Sequence, residues 1–315
     1  MTAPTSRRSA LDPQREREII ARAESIARDQ FGDGPIDPEQ LIQAEGITLS
    51  RGNYGESFDG LLEYDGLGFH IYANMDRLQR LDEGRGVFTL GHELGHYFID
   101  EHRLWMQANP GISHPCFLFS SHSKDALHER EADLFASSLL MPTASFRRRV
   151  RSPAPGAEVI LDTATFFRCS VTSTAIRFCE LEPFPCAIIR WSASGEYQWG
   201  RMSSRVRGRY GSFARDLTAG RSQSLTAETL RAAPGSAQQG KRTTVSELWF
   251  LGCEERSQRH GADLQHLLAV LDEHVIPLGN YGVLTVLSGH TWATLPVSEQ
   301  AAATGAGGKS DRRAG

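Results

Sequence analysis

The chain is poor in lysine, in paired cysteines and in long apolar runs. Of its 34 basic residues only three are lysine, and the net charge of −4 leaves it without the basic surface of a nucleic-acid-binding protein. Its five cysteines are irregularly spaced and include no Cys-x-x-Cys pair, so the pattern argues against a disulfide framework and a cysteine-ligated zinc. No signal-peptide pattern or membrane-length apolar segment is present, so we expect a cytoplasmic protein without a membrane partner.

One motif stands out, the pentapeptide H-E-L-G-H at residues 92–96. Residues four apart in a helix lie one turn above each other, so His92 and His96 can bind one metal ion. Glu93 then lies beside them as a candidate general base. Apolar residues flank the motif at helical spacing, which predicts a buried helix.

Gly91 and Gly95 lie inside this predicted helix. Each glycine costs up to about 1 kcal/mol relative to alanine in a helix interior. Their presence predicts that another backbone packs closely against the helix.

A catalytic zinc site needs a third protein ligand. His102 has the spacing of a known zinc pattern, but Ile99 occupies the position where that pattern has a turn-forming glycine. The second candidate is Glu129, in a predicted helix that ends at Pro142. We favour Glu129, although charges in this segment would also suit a solvated helix face.

Two other acidic residues of this helix have predicted roles. Asp133 lies one turn after Glu129 and is placed to orient a metal ligand. Glu131 is predicted to be a surface charge, or a secondary alternative to Glu129 as ligand.

The phrase FTLGHELGHYF at residues 88–98, together with E-x-x-A-D-x-F-A at 129–136 and LLMP at 139–142, resembles the ImmA/IrrE family of metallopeptidases. The resemblance implies zinc bound by His92, His96 and Glu129, with Glu93 as the base. It also implies a substrate class, because members of that family cleave helix-turn-helix repressors and so release stress or mobile-element genes.

By the same resemblance, an edge strand above the metal helix pairs with the substrate backbone. Residues Phe69, His70, Ile71 and Tyr72 form the strand that we predict for this role. An ordinary half-buried hairpin strand is the alternative.

Two other functions are compatible with the sequence. A peptidase-like scaffold could regulate a repressor partner by contact alone, although the intact Glu93 argues against it. A DNA-binding regulator could use the predicted helices at 158–167 and 171–181, whose outline is that of a helix-turn-helix, but the chain lacks the basic surface that this function needs.

The predicted fold is of the α+β class. A helical zincin-like core with a small antiparallel sheet precedes a helical segment and a smaller α+β C-terminal domain. Apolar periodicity predicts a first helix at 13–31, the dipeptide Asp65-Gly66 predicts a tight hairpin turn, and residues 263–270 are predicted to be helical. Residues 103–124 are predicted to be a loop between the two metal-bearing helices. The predicted boundaries are a disordered terminus at 1–11, the peptidase domain at 12–145, the helical segment at 146–183, the C-terminal domain at 184–296, and a disordered tail at 297–315.

Overall fold

The structure is a computed structural model of the 315-residue chain, and it describes residues 11–111, 114–116, 126–150, 156–232, 238–251, 270–289 and 292. The chain divides into two compact units, residues 1–151 with 160–177 and residues 152–159 with 178–315. No helix in the described part is long and apolar enough to cross a membrane. The described residues do not include residues 1–10, residues 263–269 of a predicted helix, or the tail predicted at 297–315.

The first unit is mainly helical. Its first helix begins where the Asp12 side chain accepts a hydrogen bond from the Gln14 amide, with Pro13 in the first turn. It ends at Gly32, whose positive φ of 60° suits glycine. Its helices are α1 (Pro13–Phe31), α2 (Pro38–Ala44), α3 (Met75–Leu78), α4 (Gly84–Phe98), α5 (Asp100–Ala108), α6 (Ala126–Leu140) and α7 (Thr143–Arg149), while the residues of α8 (Ala157–Phe167) and α9 (Val171–Leu181) are divided between the two units.

A four-stranded sheet lies in the same unit, in the order β1-β3-β2-β4. Asp65 and Gly66 form the predicted tight turn between β2 and β3, with Gly66 at a φ of 96°. The sheet is mixed and not antiparallel throughout, because β1 pairs with β3 in parallel. The strands are β1 (Thr48–Gly52), β2 (Gly60–Tyr64), β3 (Phe69–Asn74) and β4 (His114–Cys116).

The position of β3 corrects the prediction that Phe69, His70, Ile71 and Tyr72 form an edge strand. β1 pairs with β3 from His70 onwards, and β2 pairs with it from Phe69 onwards. Both backbone edges are therefore occupied over His70, Ile71 and Tyr72, so this strand has no free edge for a substrate. Strand order depends on long-range pairing, which the hairpin pattern does not reveal.

The loop predicted at 103–124 is also partly wrong, because residues 103–108 belong to helix α5. Asp100 and Glu101 lie in its first turn, where negative charge stabilises the amino end of a helix. His102 and Met106, one turn apart, are buried. Two buried positions are too few for helical periodicity to be recognised in the sequence.

Helices α4 and α6 pack closely at small residues, and the backbone contact predicted from the two glycines is found at Gly95. A Cβ atom on Gly95 would lie 3.0 Å from both the Cα and the carbonyl oxygen of Ala132. A Cβ on Gly91 would lie 3.1 Å from the Leu140 side chain and 3.6 Å from Ala136. This close approach brings the two predicted metal-bearing helices together.

The second unit contains a five-stranded antiparallel sheet in the order β6-β5-β9-β8-β7, which agrees with the predicted α+β class. Three buried tryptophans, Trp191, Trp249 and Trp292, lie in the core on one of its faces. Its elements are β5 (Cys186–Trp191), β6 (Tyr197–Met202), α10 (Ser204–Tyr210), α11 (Leu225–Arg231), β7 (Gly240–Val245), α12 (Ser246–Trp249), β8 (Val270–Pro277) and β9 (Val283–Ser288). Val270, predicted as helical, begins β8.

Candidate metal centre

Three side chains predicted as metal ligands lie together in the first unit. His92 and His96 project from α4, and Glu129 projects from α6. One potential ligand atom from each lies within 4.8 Å of the others. The two histidines are almost completely buried, whereas the Glu129 side chain remains 26% exposed, so the cluster is open on one side.

The distances within this cluster are close to those around a tetrahedral zinc ion. The Nε2 atoms of His92 and His96 are 3.1 Å apart, and each lies 3.4 Å from a carboxylate oxygen of Glu129. Bonds of about 2.0–2.2 Å in tetrahedral geometry separate neighbouring ligand atoms by about 3.3–3.6 Å, so the two distances to Glu129 fall within this range and the distance between the imidazoles is slightly shorter. The residues present therefore fit a zinc ion with three protein ligands.

The other ring nitrogen of each histidine is also within hydrogen-bond distance of a partner. His92 Nδ1 lies 2.9 Å from Asp133 Oδ1, and His96 Nδ1 lies 3.1 Å from His102 Nδ1. A carboxylate can only accept a hydrogen bond, so His92 donates through Nδ1 and keeps the Nε2 lone pair for a metal. Asp133 thus lies where it can orient His92.

Glu129 is held in its charged form. Partial burial acts to raise the pKa of its carboxyl group, but hydrogen bonds from His92 and His96, together with the positive charge that these rings carry when protonated, outweigh it and hold the pKa well below its usual range. A carboxylate that stays ionised beside two imidazoles is a suitable cation ligand.

Glu93 differs from Glu129 because it is fully buried. Its carboxylate oxygens lie beside the Leu62 backbone of β2 and form no hydrogen bond to a side chain among the described residues. Burial raises the pKa of Glu93 to about 8, although the nearby charge of His92 acts in the opposite direction. A carboxyl group with a pKa near neutral can both accept and return a proton, as a general base must.

Strand β2 passes directly over Glu93 at Gly60, a position that the sequence analysis missed. A Cβ atom there would lie 2.7 Å from Glu93 Oε1 and 2.5 Å from the Thr89 methyl group. Only glycine lets the strand come this close without moving Glu93. Nothing local in the sequence marks this contact, because residue 60 and α4 are brought together by the fold.

His102 and Glu131 do not have the roles that were considered for them from the sequence. His102 lies behind His96, with its Nε2 atom 3.0 Å from Glu131 Oε2. Glu131 is only 5% exposed, so the prediction of a surface charge was wrong. Its partners, His102 and Arg15, are distant in the chain, which is why no helical pattern indicated burial.

The four residues predicted to bind substrate form ordinary sheet contacts. Phe69 packs edge-on against Tyr97, and His70 Nε2 lies 3.0 Å from an Asp65 oxygen. Ile71 is fully buried, and Tyr72 packs edge-on against Tyr54. None of these contacts involves the three clustered ligands.

Comparison with known families agrees with this geometry. Residues 78–178 match the family model of the IrrE N-terminal-like domain, Peptidase_M78. This range contains all three clustered ligands, Glu93 and Asp133. The resemblance to the ImmA/IrrE family is thus confirmed for this part of the chain, while no curated protein matches the sequence significantly.

Among solved structures, a Mycobacterium tuberculosis transcriptional regulator is similar in fold. The alignment has a TM-score of 0.50 and 12% sequence identity, and it covers 87% of this chain and 77% of the other. At this identity the similarity concerns the fold alone.

Proposed function

We propose that this chain, whose residues 78–178 form an IrrE N-terminal-like domain, is a zinc-dependent metalloendopeptidase that cleaves a helix-turn-helix transcriptional repressor. The observation that carries the proposal is the spacing of His92 Nε2, His96 Nε2 and the Glu129 carboxylate, at 3.1 and 3.4 Å. Two neutral imidazoles and one carboxylate with an open side form the ligand set of a catalytic zinc site.

A zinc ion bound there would act as a Lewis acid towards water and the scissile carbonyl group. Side chains of the protein perform the other functions. His92, His96 and Glu129 hold the ion, and Asp133 orients the His92 ring. Glu93 accepts the proton of the attacking water and returns it to the leaving amine.

The buried position of Glu93 supports this role. Its carboxyl group lies beside His92 on α4, enclosed by Gly60 and Thr89, and no described side chain forms a hydrogen bond with it. A buried structural carboxylate is normally paired with a polar or charged side chain, because a buried charge is costly without one. A carboxyl group that lacks such a partner is suited to exchanging protons with a substrate water.

The substrate class is proposed from the family resemblance. A repressor with a helix-turn-helix domain is the expected partner, and its cleavage would release stress or mobile-element genes in the cytoplasm. The chain itself is not proposed to bind DNA. Of the arginines that precede α8, Arg148 pairs with Asp33, and the Arg149 guanidinium lies over the Phe166 ring at 5.3 Å from its centroid.

The test compares zinc-loaded wild type with Glu93→Gln. Each protein is incubated with purified helix-turn-helix repressors of the source organism, and new amino termini are identified by mass spectrometry. We expect fragments with the wild type, and none with Glu93→Gln, which should still bind about one zinc per chain. Equal cleavage by both proteins would contradict the assignment of Glu93.

The same experiment separates the alternative function. Stable complex formation with a repressor, without cleavage by either protein, would favour a peptidase-like binding module. Absence of zinc from the folded wild type after zinc is supplied would contradict the proposed metal centre.

A further inference from the structure

A buried hydrogen-bond chain leads away from the metal centre behind His96. His96 Nδ1 lies 3.1 Å from His102 Nδ1, and His102 Nε2 lies 3.0 Å from Glu131 Oε2. All three residues are at most 5% exposed. This hydrogen-bond chain connects α4, which carries the two histidine ligands, with α5 and α6.

The carboxylate at the end of the chain determines which nitrogens carry protons. Glu131 can only accept, so His102 donates its proton through Nε2. A neutral His102 then has its lone pair on Nδ1, and His96 must donate through Nδ1. This assignment leaves the Nε2 lone pair of His96 directed towards the cluster with His92 and Glu129.

Arg15 holds the Glu131 carboxylate in place through two hydrogen bonds. Its Nε atom lies 3.0 Å from Glu131 Oε1, and one of its terminal nitrogens lies 3.0 Å from Glu131 Oε2. The same guanidinium also binds Glu101 at 2.8 and 3.1 Å. Because arginine holds a carboxylate through a rigid fork of donors, the Glu131 oxygens have a defined direction.

We infer that His102 is a positioning residue, which fixes the tautomer and ring orientation of the ligand His96 through a chain that ends at Glu131 and Arg15. This inference rests on the proposed metal centre. The two histidine ligands then differ in how exposed their hydrogen-bond partners are. Asp133, which binds His92, has a side chain that is 51% exposed, whereas His102 and Glu131 are enclosed and shielded from water.

The test measures zinc affinity in three full-length variants by competition with a chelator of known affinity. His102→Phe keeps the ring shape but removes both ring nitrogens. His102→Gln keeps an acceptor for His96 and a donor for Glu131. His128→Phe is the matched control, because the His128 ring packs against His102 with centroids 4.6 Å apart but takes no part in the chain.

We expect His102→Phe to raise the zinc dissociation constant by about 10- to 100-fold. His102→Gln should recover most of this loss, and His128→Phe should stay within about twofold of the wild type. In the cobalt-substituted protein, the visible absorption bands should change in His102→Phe and not in His128→Phe, because the bands report ligand geometry.

An unchanged dissociation constant in folded His102→Phe, with a wild type that binds zinc, would overturn the positioning role and leave the proposed function intact. No binding by the wild type would overturn both. If His102→Phe does not fold, Glu131→Gln replaces it. That variant keeps the shape but removes the charge that orients His102, so a several-fold weaker affinity is expected and an unchanged one overturns the inference.

Discussion

Replacement of Gly95 by alanine probes the contact that brings the metal ligands together. The added methyl group would lie 3.0 Å from the Cα and the carbonyl oxygen of Ala132 and 3.3 Å from its Cβ. Backbone atoms of α6 cannot move aside like a side-chain tip, so the two helices must separate. Gly91 provides a matched control on the same helix, because its nearest neighbour is the flexible end of Leu140 at 3.1 Å.

The expected changes in the free energy of unfolding follow from two opposing effects. Alanine stabilises a helix interior by about 1 kcal/mol relative to glycine, and this gain is common to both variants. Overpacking against a rigid neighbour costs about 1–3 kcal/mol. Gly95→Ala should therefore lower the free energy of unfolding by up to about 2 kcal/mol, whereas Gly91→Ala should leave it unchanged or raise it by up to about 1 kcal/mol.

The metal centre should respond as well. Ala132 lies one helical turn after Glu129, so displacement of α6 moves the Glu129 carboxylate away from the two imidazoles. We expect weaker zinc binding in Gly95→Ala and unchanged binding in Gly91→Ala, measured by chelator competition.

The stability assay is urea unfolding followed by two probes. Far-UV circular dichroism reports all helices, including those of the first unit. Tryptophan fluorescence reports mainly the second unit, to which all tryptophans except Trp105 belong, and so provides an internal control. Equal stability and equal zinc affinity in the two variants would refute the argument that backbone contact at Gly95 sets the helix separation.

Substitutions at three further residues test other contacts. Gly60→Ala should displace Glu93 and reduce peptide cleavage about 100-fold while zinc stays bound, and full activity would contradict the close approach of β2. Asp133→Ala should weaken zinc binding about tenfold through loss of the His92 hydrogen bond, whereas Asp133→Asn, which keeps an acceptor, should lose less. Glu273→Ala removes a fully buried acceptor of hydrogen bonds from the start of α11 and should destabilise the second unit by about 3 kcal/mol, measured by fluorescence-detected unfolding; a change below about 1 kcal/mol would contradict this role.

Predictions from the sequence were most accurate where the signal is local. Helix α1 was predicted with its observed bounds from its apolar periodicity. The hairpin turn at Asp65 and Gly66 was predicted from that dipeptide alone. The close backbone contact predicted from the two glycines of α4 is found at Gly95, whereas Gly91 meets the Leu140 side chain.

Predictions were less accurate where partners are distant in the chain. The edge-strand interpretation of β3 was wrong, because β1 pairs with it in parallel from outside the hairpin. Glu131 was predicted to be exposed, but Arg15 and His102 enclose it. Helix α5 was missed because its buried face has only two residues, His102 and Met106.

The sequence by itself determined the elements of the metal centre that depend on helical spacing. Residues four apart share a helix face whatever surrounds them, so His92 and His96 had to lie side by side with Glu93 next to them. The tertiary structure decided which acid joins them and what supports them. Glu129, Gly60 and the partners of each imidazole come from separate elements, and their meeting depends on packing and charge pairing across the whole unit.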